Sequence, residues 1–452
     1  MVLKNKSKSR VVKDRISALP DALVCHILSF LETKKAVSTS VLCRRWRSLW
    51  KSVPILDLDM LDMLDFDEEE LKIKEACADF GTFVDGVLSS RDNSLDIQSF
   101  RLGFYLSNDN RDQIDGWIQT AIRHNAVKLD LYVDNEDSNL FQLPKCVFTS
   151  KTLEHLKLKS LDYIIYRPPT SGCFPSLKFL HIEASPNQES MENLFSQCPV
   201  LEDLTLDLDE TRLKNLNICA PKLKRLRVDM ITNIFVNYSC NLFVNAPELE
   251  NLHLHIDDLL NCPLENAKSI VEADIAVLFC EEKEGPALFN PVNALLTQIF
   301  RVKYLSLSAP CFEACDLPAF DSLNKLKLAL HCYNWEFLGV ILKISPNLED
   351  LVLDYEALSF KECREHQWNP PEFVPICLSS HLKTISIKAF KGGRVEMEVA
   401  EYLLKNGRSL KKMTILTGGV LYTEEKELYK EFLMFQRGST ACQVEFTKRR
   451  IY

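Results

Sequence analysis

Hydrophobic residues return in one short pattern along most of the chain after about residue 95. The repeating unit is Leu-x-x-Leu-x-Leu, and several copies begin 21 to 26 residues apart, which is the spacing of leucine-rich repeats. Clear copies occupy residues 153–158, 177–182, 201–206, 223–228, 249–254, 302–307, 323–328 and 348–353. Weaker copies occupy residues 127–133, 270–275, 382–387 and 410–415.

The second half of each copy alternates between apolar and polar residues, as a half-buried strand does. One such strand cannot bury its apolar face alone, but stacked copies form a parallel sheet with a continuous core. Prolines that interrupt the preceding segment stand just before five copies, at Pro175, Pro199, Pro221, Pro247 and Pro346. The pattern therefore predicts an α/β fold, an irregular solenoid with loops at about 255–300 and 355–380.

Residues 14–50 follow a different, helical pattern. Asp21 is placed to cap a helix that starts near Ala22. Apolar residues at helical spacing predict three short helices, and they are Leu23, Ile27, Leu28 and Leu31, then Ala36, Val37, Val41 and Leu42, then Cys43, Trp46, Leu49 and Trp50. A unit this small buries too little surface to be robust alone, so we expect it to complete its core or its interface against a partner.

Acidic residues dominate the stretch from Asp57 to Glu70, which favours a solvated linker or helix edge over a docking site for basic partners. Residues 71–90 carry apolar side chains on one side of a predicted helix. The net charge of −9 and a pI of about 5.6 weigh against a nucleic-acid-binding protein. Basic residues cluster within residues 1–15, where a flexible tail is favoured over a nuclear-import signal.

The chain shows neither the apolar start of a secretory signal nor a run of about 18 apolar residues. We therefore expect a soluble intracellular protein, in the nucleus, the cytoplasm or both, without membrane association. In that setting the 16 cysteines are expected to be reduced and mostly buried. No Cys-x-x-Cys pair is present, and neither Cys311 with Cys315 nor Cys363 with His366 has a second pair nearby, so no metal or cofactor is predicted.

No nucleophile elbow, P-loop, dinucleotide fingerprint or His-Glu-x-x-His motif is present, so no catalytic residue and no enzymatic activity are predicted. The nine histidines are scattered, and several lie in or beside the repeat strands. Histidines at such places more often belong to a binding face than to a catalytic pair.

Residues 14–50 closely resemble a plant F-box over its full length, from Asp-Arg-Ile-Ser-Ala-Leu-Pro to Trp-Arg-Ser-Leu-Trp. The C-terminal region resembles the FBD domain, and the positions that carry this likeness are 368–371, 374–375, 377–378, 382–383, Gly392, Glu398, 404–406 and 410–415. With the repeats, the chain resembles plant F-box/FBD/LRR-repeat proteins. The resemblance implies five segments: a basic flexible tail at 1–12, a three-helix F-box at 13–55, an acidic linker and helix at 56–94, leucine-rich repeats at 95–360, and an FBD domain at 361–452 that continues the solenoid.

The resemblance implies a substrate-recognition subunit of an SCF (Skp-cullin-F-box) ubiquitin ligase. Its partners would be a Skp-type adaptor (the plant ASK proteins), the cullin-RING ligase reached through it, and an unidentified target protein. The adaptor-binding residues carried over are Leu19, Pro20, Leu23, Ile27, Leu28, Leu31, Val37, Leu42, Trp46 and Trp50. Core packing is the alternative for each, and we expect it for about half. Two other readings stay open: a leucine-rich-repeat scaffold that delivers nothing to a ligase, and, less favoured, a nucleic-acid-associated factor.

On a leucine-rich solenoid the outward residues of each strand share one face, and the sign of their charge here alternates from strand to strand. Mixed charge favours a protein surface over a polyanion as the ligand. A solvated face without a ligand is the alternative. The predicted substrate-binding residues are His155, Lys157, His181, Asp203, Arg225, Arg227, His253, Tyr304, Lys325 and Asp350.

Overall fold

The structure, a computed structural model, forms two compact units, Met1–Asp162 and Tyr163–Tyr452. It describes residue 16 and residues 18–60, 70–107, 110–135, 141–160, 164–165, 173–184, 194–208, 213–230, 240–256, 259–277, 291–308, 317–329, 335–355, 368–417 and 425–448. The predicted basic tail therefore lies outside the described residues, as do 61–69 of the acidic stretch and parts of both predicted loops.

The first unit begins with the three predicted helices. They are α1 (Asp21–Leu28), α2 (Thr33–Ser38) and α3 (Trp46–Leu49), with 3-10 turns at Thr39–Val41 and Trp50–Ser52. The prediction that Asp21 caps α1 is wrong, because Pro20 occupies the cap position and Asp21 is the first helical residue. Asp21 instead accepts a hydrogen bond from Arg45 Nε at 2.7 Å, and its charge suits the positive end of the helix.

Four parallel strands follow in the first unit, in the order β1-β2-β3-β5. Their bounds, with those of a short strand β4, are β1 Ile55–Asp59, β2 Ser99–Leu106, β3 Lys128–Asn135, β4 Phe141–Gln142 and β5 His155–Ser160. The helices of this part are α4 Glu70–Ser90, α5 Arg111–Arg123 and α6 Lys145–Thr149.

Strand β1 lies where the sequence pointed to a solvated acidic linker. Arg101 of β2 explains the difference, because its guanidinium lies 2.9 Å from Asp57 and 2.5 Å from Asp59. With these two carboxylates paired to one arginine, Leu56 and Leu58 can enter the core, where both are buried. An acidic run can therefore form a strand when the neighbouring strand supplies the opposite charge.

Eleven parallel strands form the main sheet of the second unit, in the order β7-β8-β10-β12-β15-β16-β17-β18-β19-β20-β21. Their bounds are β7 Phe179–Glu183, β8 Asp203–Asp207, β10 Arg225–Met230, β12 Asn251–Ile256, β15 Glu272–Val277, β16 Tyr304–Ser308, β17 Lys325–Ala329, β18 Asp350–Asp354, β19 Thr384–Phe390, β20 Lys412–Thr417 and β21 Gln443–Lys448. Strands of the predicted FBD region thus continue the sheet of the repeats, as predicted.

The other described elements of the second unit are a smaller sheet, a short strand, helices and 3-10 turns. A smaller parallel sheet contains β9 Asn215–Cys219, β11 Cys240–Asn245, β13 Leu259–Asn261 and β14 Leu264–Glu265, and β6 is Ile164–Ile165. The helices are α7 Pro291–Gln298, α8 Trp335–Ile344, α9 Ile376–Ser380, α10 Arg394–Asn406 and α11 Glu425–Met434. Short 3-10 turns occupy Phe195–Gln197 and Ala267–Ser269.

The core consists of the apolar residues of the repeat. Leu204 and Leu206 of β8 are fully buried, and Leu252 and Leu254 of β12 are almost so. Each such burial stabilises the fold by about 1.5–3 kcal/mol relative to an exposed side chain. The residues between them face outward, so the alternation read from the sequence is confirmed. The weaker copies are also confirmed as strands, namely β3, β15, β19 and β20.

The predicted loop at 255–300 is wrong over most of its described length, because β13, β14, β15 and α7 occupy it. Two of these strands, β13 and β14, pair with β11, and the repeat pattern does not predict this pairing. In the predicted loop at 355–380, residues 356–367 lie outside the described residues and Ile376–Ser380 forms α9. Among the described residues, no helix combines the length and apolar composition needed to cross a membrane.

Candidate functional site

Several apolar side chains stay exposed on the helices and turns at the start of the first unit. On α1, Leu23 and Ile27 lie four residues apart, one turn of helix, and expose 49% and 44% of their surface. Val24 and Leu28 point to the other side of the same helix and are buried. We call the exposed set the helical face, and its members are Leu23, Ile27, Phe30, Leu31, Val41 and Leu42.

The structure divides the ten predicted adaptor-binding residues into core and surface. Leu28, Trp46 and Trp50 are buried, and they pack within the module. Leu19 and Val37 are half-buried. The exposed members are Pro20, Leu23, Ile27, Leu31 and Leu42. The sequence could not make this division, because both sets recur at the same helical spacing.

Two members of the helical face escaped the sequence prediction. Phe30 exposes 76% of its surface and Val41 exposes 85%. Phe30 lies three residues after Ile27, so extending the stripe of α1 by one turn would have found it. Val41 belongs to the second apolar stretch of the sequence but is not among the predicted adaptor-binding residues, and it lies in a 3-10 turn.

The helical module is anchored to the strand that follows it. The backbone N–H of Asp57 donates to the Thr33 hydroxyl at 2.8 Å, and Thr33 is buried. Arg91, buried just after α4, donates to the carbonyl of Val53. Arg45 also donates to the carbonyl of Leu19, which holds the entry to α1 against the segment before α3. These contacts supply part of the support that a module of this size lacks alone.

Outward residues of the second unit form rows across its main sheet, and we call this surface the strand face. The register aligns one residue from each of seven strands in a first row, Asp203, Arg225, Asn251, Glu272, Tyr304, Lys325 and Asp350. The next row is His181, Thr205, Arg227, His253, Asp274, Ser306 and Lys327. Eight of the ten predicted substrate-binding residues lie in these rows, while His155 and Lys157 lie on β5 of the first unit.

Charges on the strand face are paired between neighbouring residues. Arg225 Nε lies 2.6 Å from Asp203 Oδ2, and Lys325 Nζ lies 4.0 Å from Asp350 Oδ2. His181 Nε2 lies 2.7 Å from Asp207 Oδ2. Exposed pairs of this kind contribute about 0–1 kcal/mol each to stability, so they add little to the stability of the sheet. They leave a surface of alternating sign.

A hollow of about 410 Å³ lies in the strand face. Its wall includes five of the predicted substrate-binding residues, Asp203, Arg225, Arg227, His253 and Tyr304. Glu272 and Asp274 of β15 also line it, and the sequence did not single them out because their repeat is one of the weak copies. The hollow combines both signs of charge with the phenol of Tyr304.

A cluster of two histidines and two aspartates borders this hollow. His253 and His255 are two apart on β12, so both face outward, and their ring centroids lie 3.9 Å apart. Asp229 on β10 and Asp274 on β15 flank them. The hydrogen bond to Asp274 raises the pKa of His253 although burial opposes it. Burial would raise the pKa of Asp274, but hydrogen bonds from His253, His255 and Ser306 outweigh it and lower that pKa.

Three described residues of the predicted FBD region, Trp368, Gly392 and Glu396, have structural roles. Trp368 is buried with its ring edge-on to Tyr402 at 5.1 Å. Glu396 accepts hydrogen bonds from the backbone N–H groups of Lys391, Gly392 and Gly393, and so closes the start of α10. Gly392 has φ 79°, a conformation that side chains disfavour, which explains a glycine at this point.

Burial makes several of the described cysteines unreactive. All eleven cysteines among the described residues are free, and six are buried. Burial raises the pKa of Cys198 and of Cys262 to about 12 in each case. Thiols held in the protonated form are poor nucleophiles and poor metal ligands.

Comparisons with known proteins match three segments of the chain. Family models match an F-box domain at residues 16–58, the LRR repeats of an FBD-associated F-box protein at 114–276, and FBD at 369–415. An F-box/FBD/LRR-repeat protein of Arabidopsis thaliana is 31% identical over 460 residues, covering 95% of this chain and 96% of the relative.

The chain belongs to the F-box/FBD/LRR-repeat family. A second Arabidopsis thaliana member is 33% identical over 458 residues, covering 96% of this chain and 94% of its own. The F-box/LRR-repeat protein 13 of the same plant is 31% identical over 459 residues, covering 95% of this chain and 96% of its own. The helical module is thus an F-box, and the family supports a substrate-adaptor role for the chain.

Proposed function

We propose that this F-box/FBD/LRR-repeat protein is the substrate-recognition subunit of an SCF ubiquitin ligase. In this proposal the F-box binds a Skp-type adaptor, in plants an ASK protein, and the repeats with the FBD region bind the protein to be ubiquitinated. The observation that carries the proposal is the helical face, an apolar surface left exposed on a short module.

Docking would give the helical face the burial that the chain itself does not provide. Removing one Leu or Ile side chain from water contributes about 1.5–3 kcal/mol. Leu23, Ile27 and Leu42 already have their backbone fixed by helix or turn, so ordering them on binding costs little. Trp46 and Trp50 are buried and are not proposed to touch the adaptor.

The strand face is proposed to bind the target protein. Its paired charges and hollow suit a partner with charged groups of both signs, because such a partner can exchange the lateral ion pairs for pairs across an interface. The proposal assigns no chemistry to this chain. Transfer to a lysine would be carried out by other subunits, and this protein would hold the target near them.

Capture of a Skp-type adaptor by the full-length chain tests the proposal. We expect the wild type to bind, and Leu23→Glu/Ile27→Glu to lose at least about 30-fold in affinity, roughly 2 kcal/mol, because two carboxylates would be desolvated in the interface. The control is Leu433→Glu/Met434→Glu, which places the same charges on similarly exposed apolar residues outside the F-box. Failure of the wild type to capture any adaptor would overturn the ligase role, and equal binding by both variants would overturn the assignment of the face.

A scaffold that docks without delivering a target is separated by a second experiment. Proximity labelling with the proteasome blocked should enrich proteins whose levels also rise when this chain is removed. The Leu23→Glu/Ile27→Glu variant should still label them, since the strand face is unchanged, but should not restore their turnover. If the levels of the labelled proteins stay the same when the chain is removed and when the variant replaces it, the protein is a scaffold.

A further inference from the structure

The cluster at Asp229, His253 and His255 contains more contacts between nitrogen and carboxylate than neutral histidines can satisfy. His253 Nε2 lies 3.2 Å and His255 Nδ1 lies 3.3 Å from the same oxygen, Asp229 Oδ1. The other nitrogen of each ring faces Asp274 Oδ2, at 3.1 Å for His253 and 3.7 Å for His255. A neutral imidazole carries one N–H, so two rings can donate to only two of the three contacts that are 3.3 Å or shorter.

Either both rings carry a second proton, or a cation lies among the remaining lone pairs. The second solution accounts for the short contacts. His253 would donate its Nδ1–H to Asp274 Oδ2 at 3.1 Å, the Nε2–H of His255 would point toward the same oxygen at 3.7 Å, and the two lone pairs would join Asp229 Oδ1 in facing one ion. We propose that Asp229, His253 and His255 bind a divalent transition-metal ion of the zinc class on the strand face of this protein.

The distances fit such an ion. Zinc takes nitrogen at about 2.0–2.1 Å and carboxylate oxygen at about 2.0–2.2 Å in tetrahedral geometry, which places neighbouring ligand atoms about 3.3–3.5 Å apart. The separations of 3.2 Å and 3.3 Å from Asp229 Oδ1 are close to this edge length. One ligand atom from each of the three residues lies within 4.8 Å of the others. Imidazole and carboxylate together suit zinc, nickel and copper better than magnesium or calcium.

The surrounding groups orient the ligands as an outer shell does in metal sites. Asp274 faces the outer nitrogens of both rings and also accepts a hydrogen bond from the nearly buried Ser306. Arg227 Nε contacts the second oxygen of Asp229, Oδ2, at 2.5 Å, which leaves Oδ1 turned to the histidines. The two aspartates and Arg227 together leave one negative charge to attract a cation.

A neighbouring group shows what a satisfied histidine looks like. His181, Glu183 and Asp207 also lie close enough to share an ion. The contact of His181 Nε2 with Asp207 Oδ2, at 2.7 Å, needs only a single N–H. We therefore place the ion at His253 and His255 and use His181 as the control. Three protein ligands would leave a fourth position open, where water or a bound protein could complete it.

Titration of the chelator-treated full-length chain with zinc chloride at pH 7.5 tests the proposal by isothermal calorimetry. We expect one equivalent to bind, no such binding in His253→Ala/His255→Ala, and wild-type affinity in His181→Ala. Asp274→Asn should keep the stoichiometry and lose about 10–100-fold in affinity, because it orients the ligands without touching the ion. Affinity should also fall from pH 7.5 to pH 5.5, since protons compete for the same nitrogens.

Controls keep the result interpretable. His255→Gln replaces one outward ring and serves if the double variant does not fold. Cobalt(II) absorption separates this site from thiolate ligation, because thiolates add charge-transfer bands that nitrogen and oxygen ligands lack. No zinc binding by the wild type, or equal binding by His253→Ala/His255→Ala, would overturn the site and leave a doubly protonated histidine pair. Neither result bears on the F-box, whose docking is measured separately.

Discussion

The helical face and the strand face present their side chains to solvent in opposite ways. The helical face is apolar, and its members Leu23, Ile27 and Leu42 stay exposed on short helices and turns. The strand face is polar, and its charges are already paired with one another, as Arg225 is with Asp203. An unpaired apolar surface gains free energy whenever a partner covers it, whereas a paired polar surface must exchange contacts and so selects among partners.

The sharpest test of this contrast separates the buried and the exposed leucines of α1. Leu28→Ala should destabilise the F-box by about 2–5 kcal/mol, because it opens a cavity in a small core. Leu23→Ala, at a residue 49% exposed, should cost well under half of that and still weaken adaptor binding. Hydrogen exchange over residues 19–52, measured with adaptor capture, checks both. Equal destabilisation by the two substitutions would mean that Leu23 is core and the helical face is misassigned.

A smaller effect is expected from pH on the strand face of the metal-free protein. The pKa of His253 is raised in the folded chain, chiefly by its hydrogen bond to Asp274. Its protonation therefore contributes stability that is fully present below the unfolded pKa, about 6.5, and is lost as pH rises through the higher folded pKa. The thermal midpoint should fall from pH 6 to pH 8 more in the wild type than in His253→Gln.

The groups facing His253 are Arg227, Asp229, His255 and Asp274, so the comparison needs a second variant. Asp274→Asn removes the carboxylate that raises the pKa and should flatten the same slope. Identical slopes in the wild type and both variants would show that the cluster does not titrate with folding.

The smallest effect concerns the ion pairs of the strand face. Arg225→Ala should change the free energy of unfolding by no more than about 1 kcal/mol, because the pair with Asp203 is exposed. The same variant should alter target capture, if the strand face binds the target. Asp203→Ala/Arg225→Ala removes both partners and completes a double-mutant cycle for the pair. If Arg225→Ala lowered the free energy of unfolding by several kcal/mol, the first row would have a structural role and would not belong to the proposed interface.

Much of the fold followed from local patterns. The copies at 201–206 and 249–254 predicted which leucines enter the core, and Leu204, Leu206, Leu252 and Leu254 do so. The sequence pattern does not predict strand β1, because its acidic residues are typical of a solvated segment. Only the structure shows that Arg101 pairs with two of them. The small sheet around β11 was also missed, since its strands pair outside the repeat.

For the candidate sites too, the sequence predicted some features and only the structure showed the others. Helical spacing located α1, yet it could not tell that Leu28 faces the core while Leu23 faces solvent. The spacing of potential metal ligands in the sequence argued against a metal site, because that spacing concerns only residues close together in the chain. Asp229 and Asp274 are 45 residues apart, and both face the imidazole rings of β12.

The sequence by itself determined the period of each element, and hence which side chains alternate between core and solvent. It also determined the family, through an F-box motif that is local in the chain. Only the tertiary structure decided which outward residues become neighbours, because the register between strands depends on loops of unequal length and on packing across the whole sheet. For that reason the F-box could be read from residues 14–50 alone, while the cluster at His253 and His255 appeared only when three strands were aligned.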